Sequence, residues 1–293
     1  MLTQDSPFHP DRLVLVGAAV LFLLNLSAGA SAAAPQSSKL VSKIKNIELC
    51  NGSDRSSPEP QIRGCTALIN DENETRLLKA VAHNNRGDAY VVQGNFEAAI
   101  NDYDQAINLN PDFARPFNNR GFAYLKKADY DRALKDFDQA IKLNPNYARA
   151  FANRAETYQQ RHDYQSAVRD YDNAIRVQPE SAAGWNGRCW TRAIIGELQL
   201  ALADCNKALA IQPNDAATLD SRGLIYLKLG QLDSAINDYS SALRIEPALA
   251  TALYGRGLAR IKKGDTTGGN ADLAAAAKLE KKIAENFSQY GIR

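Results

Sequence analysis

Hydrophobic and polar residues follow two patterns along the chain. Leu13 to Leu26 is an almost unbroken apolar run. Beyond about residue 80 the pattern becomes short amphipathic stretches in pairs, which predicts helices that each bury one stripe. Pro116 to Lys126 and Tyr130 to Leu143 form one such predicted pair. Asn144-Pro145 ends it, because proline cannot continue a helix and disfavours helical geometry in the residue before it.

The pair recurs at a fixed interval. Pro111, Pro145, Pro179, Pro213 and Pro247 are each 34 residues apart. Arg86, Arg120, Arg154, Arg188, Arg222 and Arg256 keep the same spacing. So do Asp102, Asp136, Asp170, Asp204, Asp238 and Asp272, and the alanines from Ala106 to Ala276. A 34-residue helix–turn–helix with this pattern resembles the tetratricopeptide repeat (TPR) family. The resemblance covers residues 80–283. It implies an all-α fold, a right-handed α-solenoid of six TPR helix pairs.

With the proline at position 32, the copies run 80–113, 114–147, 148–181, 182–215, 216–249 and 250–283. Position 8 is small: Gly87, Gly121, Ala155, Cys189, Gly223 and Gly257. Position 24 is mostly large: Tyr103, Phe137, Tyr171, Cys205, Tyr239 and Leu273. In the family these positions face each other across the helix pair, large against small. The sixth copy has Lys281 in place of the proline and three glycines, Gly264, Gly268 and Gly269. It runs into the charged stretch from Lys278 to Glu285, as a terminal cap requires for solubility. Residues 284–293 are expected to extend its last helix.

The resemblance also gives the cysteines a meaning. Cys189 and Cys205 fill the facing positions 8 and 24 of the fourth copy, which implies a disulfide. Cys50 and Cys65 have nearly the same separation, and Gln61 to Asn70 echoes Leu202 to Ile211 around Cys205. Residues 39–70 therefore read as a degenerate N-terminal helix pair, also stapled, within a cap of residues 31–79. Four cysteines allow three connectivities. Local packing favours Cys50–Cys65 and Cys189–Cys205. The alternative is a metal site, but no Cys-x-x-Cys is present, and His83 and His162 do not cluster with the cysteines.

The apolar run near the start reads as an export signal. Arg12 precedes it and small residues from Ser27 to Ala34 follow, with Ala-x-Ala sites ending at Ala30 and Ala32. Residues 1–30 are the expected signal peptide. The run is short against the ~20 residues of a membrane span, although an uncleaved anchor is the alternative. No second such run follows, so no membrane insertion is expected after cleavage. Disulfides persist in oxidising compartments, which places the mature chain in the periplasm, or outside the cell.

Composition changes the picture little. Lys and Arg total 35 against 33 Asp and Glu, a net charge of +2, which argues against a nucleic-acid partner. No catalytic or nucleotide-binding motif occurs, so no enzyme activity and no cofactor is expected. The repeated Arg at position 7 and Asp at position 23 read as structural ion pairs, since a catalytic site would occur once. His162 reads as a turn residue.

In the family the first helix of each copy lines a concave groove, and positions 2, 5, 9, 12 and 13 face it. The candidate partner-binding residues are therefore Asn84, Asp88, Asn118, Phe122, Lys126, Arg149, Glu156, Asn186, Trp190, Asp220, Lys228 and Tyr254. They vary between copies while the packing positions repeat. Asn side chains can bond an extended backbone as donor and acceptor. Phe122, Trp190 and Tyr254 offer apolar anchors. Mixed charge favours a protein segment over a polyanion. The family's carboxylate clamp is not matched: of Asn84, Asp88, Asn119, Arg149 and Asn153, only Asn119 and Arg149 fit. The expected function is an exported TPR scaffold that binds a peptide or partner protein in the bacterial cell envelope. The alternative is a non-catalytic subunit that binds cell-wall glycan by aromatic stacking.

Overall fold

The computed structural model describes residues 34–52 and 57–292; the expected signal peptide, residues 1–30, lies outside them. Fifteen helices and no strand occur among the described residues. The chain divides into two compact units, the first ending at Asn153 and the second beginning at Arg154.

The first unit contains α1 (Ala34–Asn51), α2 (Glu59–Asn70), α3 (Arg76–Val92), α4 (Phe96–Leu109), α5 (Ala114–Lys126) and α6 (Tyr130–Leu143). The division falls inside α7 (Ala148–Gln160). The second unit continues with α8 (Tyr164–Val177), α9 (Ala182–Ile195), α10 (Leu198–Ile211), α11 (Ala216–Lys228) and α12 (Leu232–Ile245). It closes with α13 (Ala250–Lys262), α14 (Thr266–Leu279) and α15 (Ile283–Gln289). Within each unit, helices pack against their sequence neighbours, as in a TPR solenoid. The N-terminal pair α1–α2 packs the same way, with α2 against α3.

Local chemistry sets the helix ends. Asn95, Asp129, Asp163 and Asp265 cap their helices, each side chain accepting a hydrogen bond from the backbone N–H three residues on. The turn before each cap needs a left-handed residue. Gly94, Gly196, Gly230 and Gly264 supply it in four copies; Ala128 and His162 adopt it at φ 58° and 60°. His162 is thus a turn residue, as expected. One boundary differs from expectation: α5 starts at Ala114, two residues before Pro116. Proline fits the first turn, where its missing N–H has no helical partner anyway.

The core alternates small and large residues. A Cβ built on Gly87 would stand 2.6 Å from the Tyr103 ring, and one on Gly121 would stand 2.8 Å from Phe137. The same holds for Gly223 against Tyr239, at 2.8 Å, and Gly257 against Leu273, at 2.9 Å. The fourth copy replaces this contact with the buried Cys189–Cys205 disulfide. Cys50–Cys65 joins α1 to α2, and no cysteine is free.

The repeated charges form a ladder. In all six copies the position-7 arginine grips both carboxylate oxygens of the position-23 aspartate, at 2.6–2.9 Å. A further nitrogen of the same arginine reaches back to the preceding copy: Arg120 to Asp104, Arg188 to Asp172, Arg222 to Asn206 and Arg256 to Ser240. Arg86 makes the equivalent bond to Thr66 of α2 at 2.9 Å, so the N-terminal pair joins the same ladder. Arg86, Arg120, Arg188, Arg222 and Arg256 therefore fix both their own pair and its stacking on the preceding one.

The last helix does not run on through residues 284–293. Helix α14 stops at Leu279, and Glu280 leaves helical geometry with φ −140° and ψ 106°. The chain turns and starts α15, which buries Ile283 and Phe287, followed by the buried Ile292. Burying those side chains outweighs simple continuation of the helix.

Candidate partner-binding faces

The first unit carries Asn84, Asp88, Asn118, Phe122, Lys126 and Arg149 on its first helices, α3, α5 and the start of α7. Asn84, Asp88 and Asn118 are completely buried. The Asn119 amide donates to Asn84 at 3.1 Å and to Asp88 at 2.9 Å, and the Tyr103 hydroxyl donates to Asp88 at 2.7 Å. Asn118 donates to Asn119 at 3.0 Å and Asn153 donates to Asn118 at 2.9 Å. At the other end, Gln61 donates to the backbone carbonyl of Asn85 at 3.0 Å. The side chains expected to bond a partner's backbone thus bond one another in a buried polar row from α2 to α7. Hydrogen bonds from one copy to the next in such a buried row tie the stack together. Burial and the nearby Asp88 carboxylate push the Tyr103 phenol well above its usual range.

Phe122 is buried too, and the Lys126 ammonium covers its ring at 4.9 Å from the centroid. Lys126 is exposed and Arg149 is half-buried. Of the first unit's candidates, these two face solvent most.

The second unit arranges its candidates differently. Glu156, Asn186, Trp190, Lys228 and Tyr254 are half-buried, and Asp220 is 8% exposed. The Thr251 hydroxyl donates to Asp220 at 2.7 Å. Burial, with the charge of Glu246 adding to it, raises the Asp220 carboxyl to about 7. Lys228 donates to the Ala193 carbonyl at 2.7 Å, and burial lowers its pKa.

Trp190 and Tyr254 do not face open solvent. Tyr290 meets Trp190 edge-on, with ring centroids 5.0 Å apart, and Phe287 lies 4.7 Å from Tyr254. Ile283 and Ile292 join the same apolar cluster, which includes Leu224 and Leu258. Burial raises the Tyr290 phenol, with Glu280, Tyr164 and Asp220 adding to the effect. Phe287, Tyr290 and Ile292 were not among the residues expected to line this face. Their signal in the sequence is an aromatic pair at i, i+3 just past a charged stretch.

Among the described residues, no helix is long and apolar enough to cross a membrane. No group of His, Cys, Asp or Glu there is arranged to hold a metal ion.

Comparison with known proteins agrees with the fold. Family models described as "TPR repeat" match residues 87–128 and 223–264, and models described as "Tetratricopeptide repeat" match residues 114–147 and 152–216. A search of curated protein sequences found no match. A tetratricopeptide repeat protein from Parabacteroides merdae superposes with a TM-score of 0.64 at 19% identity, covering 85% of this chain and 99% of its own. The pilF protein of Pseudomonas aeruginosa gives 0.62 at 15% identity over 71% of this chain and 96% of its own. PilW, a type IV pilus biogenesis factor, gives 0.60 at 19% over 71% and 94%. At these identities the likeness is one of fold. Together, the repeat period, the Arg–Asp ladder, the small-against-large packing and the matching family models place this chain in the tetratricopeptide repeat family.

Proposed function

We propose that the chain is an exported TPR scaffold of the bacterial cell envelope that holds a partner protein through the first-helix faces of its copies. The observation that carries this reading is the second unit's face. Its aromatic residues already receive a polypeptide segment, through Trp190–Tyr290 and Tyr254–Phe287. A surface that takes one apolar peptide segment has the chemistry to take another. Two buried disulfides suit an oxidising compartment, which supports export. The repeated charged residues are engaged in ion pairs that hold the stack, which supports a scaffold over an enzyme.

Glycan binding is the weaker reading. Stacking on a sugar needs an open aromatic face, whereas Phe122 lies under Lys126 and Trp190 is engaged by Tyr290. Photo-crosslinking in the cell from position 126, an exposed site, tests the proposal. A specific envelope protein should be captured. Binding to purified peptidoglycan with no protein captured would overturn the scaffold reading in favour of the glycan one. Export is tested separately: in a Gram-negative host the mature chain should begin just after Ala30 or Ala32, not at Met1.

A further inference from the structure

The chain's own C-terminal segment sits on the face assigned above to a partner. Ile283, Phe287 and Tyr290 are spaced i, i+4 and i+7, the anchor spacing of an amphipathic helix laid in a groove. Ile283 and Phe287 are 1% and 2% exposed, while Ala284, Glu285, Ser288 and Gln289 point to solvent. The anchors touch two different copies: Tyr290 meets Trp190 of α9, and Phe287 meets Tyr254 of α13. A segment that spans several copies behaves as a groove ligand rather than as one more rung of the repeat. Helix α15 has only seven residues. A helix of that length does not persist alone in water, so the face it lies on keeps it folded.

We propose that residues 283–292 are a tethered occupant of the second unit's face, and that a partner protein binds there by displacing them with an amphipathic helix carrying an aliphatic, an aromatic and a second aromatic anchor at i, i+4 and i+7. The proposal rests on the scaffold reading above and adds the partner's chemistry and a built-in competitor. The tether makes the face selective: a ligand must outcompete a segment held at high effective concentration. Weak apolar segments are turned away, and a helix with matched anchors is admitted.

The test uses the full chain and, as probe, a fluorescein-labelled synthetic peptide with the sequence of residues 280–293. Anisotropy measures its binding to the wild type and to the F287A/Y290A variant, whose own segment has lost its anchors. The variant should bind the peptide at least about tenfold more tightly than the wild type, since apparent affinity scales with the fraction of protein whose site is open. A peptide lacking both aromatic rings should bind neither, and adding W190A to the variant should abolish binding. Equal affinity for the two proteins, or no binding to a variant with native circular dichroism, overturns the proposal. A concentration-dependent dimer of the wild type that is lost in F287A/Y290A also overturns it, because the occupant would then be a second copy. If the double variant does not fold, hydrogen exchange of residues 283–292 in the wild type decides: saturating peptide should speed it, and unchanged exchange overturns the proposal. Capture of a protein from position 126 together with a failed peptide test would sink this inference alone; failure of both sinks the scaffold reading as well.

Discussion

Arg86 grips both oxygens of Asp102, at 2.8 and 2.7 Å, and a ring nitrogen of His83 meets the same carboxylate at 2.8 Å. Burial alone would raise the aspartate's pKa, but the hydrogen bonds from Arg86 and His83 outweigh it and hold the pKa below its usual value. Asp102 hydrogen-bonding in turn raises the Arg86 guanidinium. The same grip recurs in the other copies, so it tests how much the ladder contributes to stability.

The Asp102→Asn variant leaves the half-buried Arg86 guanidinium without its counter-charge. Because the pair is only partly buried and asparagine keeps one acceptor, the loss should stay below the ~3–5 kcal/mol of breaking a fully buried pair. Denaturant unfolding should show the loss. The depressed pKa means that this carboxylate stabilises the fold above its unfolded value, near 4, and that the contribution fades as pH falls through the lower folded value. The gap between wild type and variant should therefore be widest near neutral pH and narrow in acid. A constant gap down to strong acid would contradict the ion-pair account.

Asp220 carries the opposite sign. Its folded pKa is raised to about 7, so between roughly pH 4 and 7 the native state keeps a proton that the unfolded chain releases. Stability should fall as pH rises through that window and level off above it. Asp220→Asn should remove this slope and raise the melting temperature at pH 8 relative to wild type. A melting temperature that responds to pH identically in both proteins would rule out Asp220 as the cause.

Gly121 has no space for a side chain against Phe137. Gly121→Val should destabilise by about 1–3 kcal/mol, the usual cost of overpacking. Trimming the ring in the double variant G121V/F137L should recover part of that loss. If the double variant is no more stable than the single one, the two positions do not share one packing constraint.

The fourth copy offers a reverse test. Removing Cys189–Cys205 by Cys189→Ala should cost about 3 kcal/mol on the chain-entropy model for a loop of this size. Rebuilding the small-against-large contact of the other copies, with C189G/C205Y, should restore much of it. That double variant should also lose less stability under reductant than the wild type, since one disulfide remains instead of two. Equal sensitivity to reductant in both would show that this disulfide carries no stability of its own.

The candidate faces were only partly legible. Position along the repeat told which helix Asn84, Asn118 and Trp190 would occupy, because a 34-residue period fixes the helix face. Their exposure depends on neighbours that the period does not name. Asn84 and Asn118 disappear into a polar row because Asn119 and Asn153 follow each one copy later and complete its hydrogen bonds. Trp190 is covered by Tyr290, a hundred residues further on. The third contacts of Arg120 and Arg222 escape sequence reading for the same reason: Asp104 and Asn206 look like ordinary exposed polar residues until the next copy stacks on them.

The sequence by itself determined the repeat, its register and the helix pairs, and with the family resemblance it favoured the cysteine pairing that the structure contains. These follow from contacts within one copy or between adjacent copies, and each recurs often enough to be read against its neighbours. Tertiary structure alone decided which variable side chains are spent on the stack and which reach solvent. It also turned the charged C-terminus back onto the second unit's aromatic face. That choice rests on burying Ile283, Phe287 and Ile292, a long-range packing gain that leaves no periodic mark in the chain.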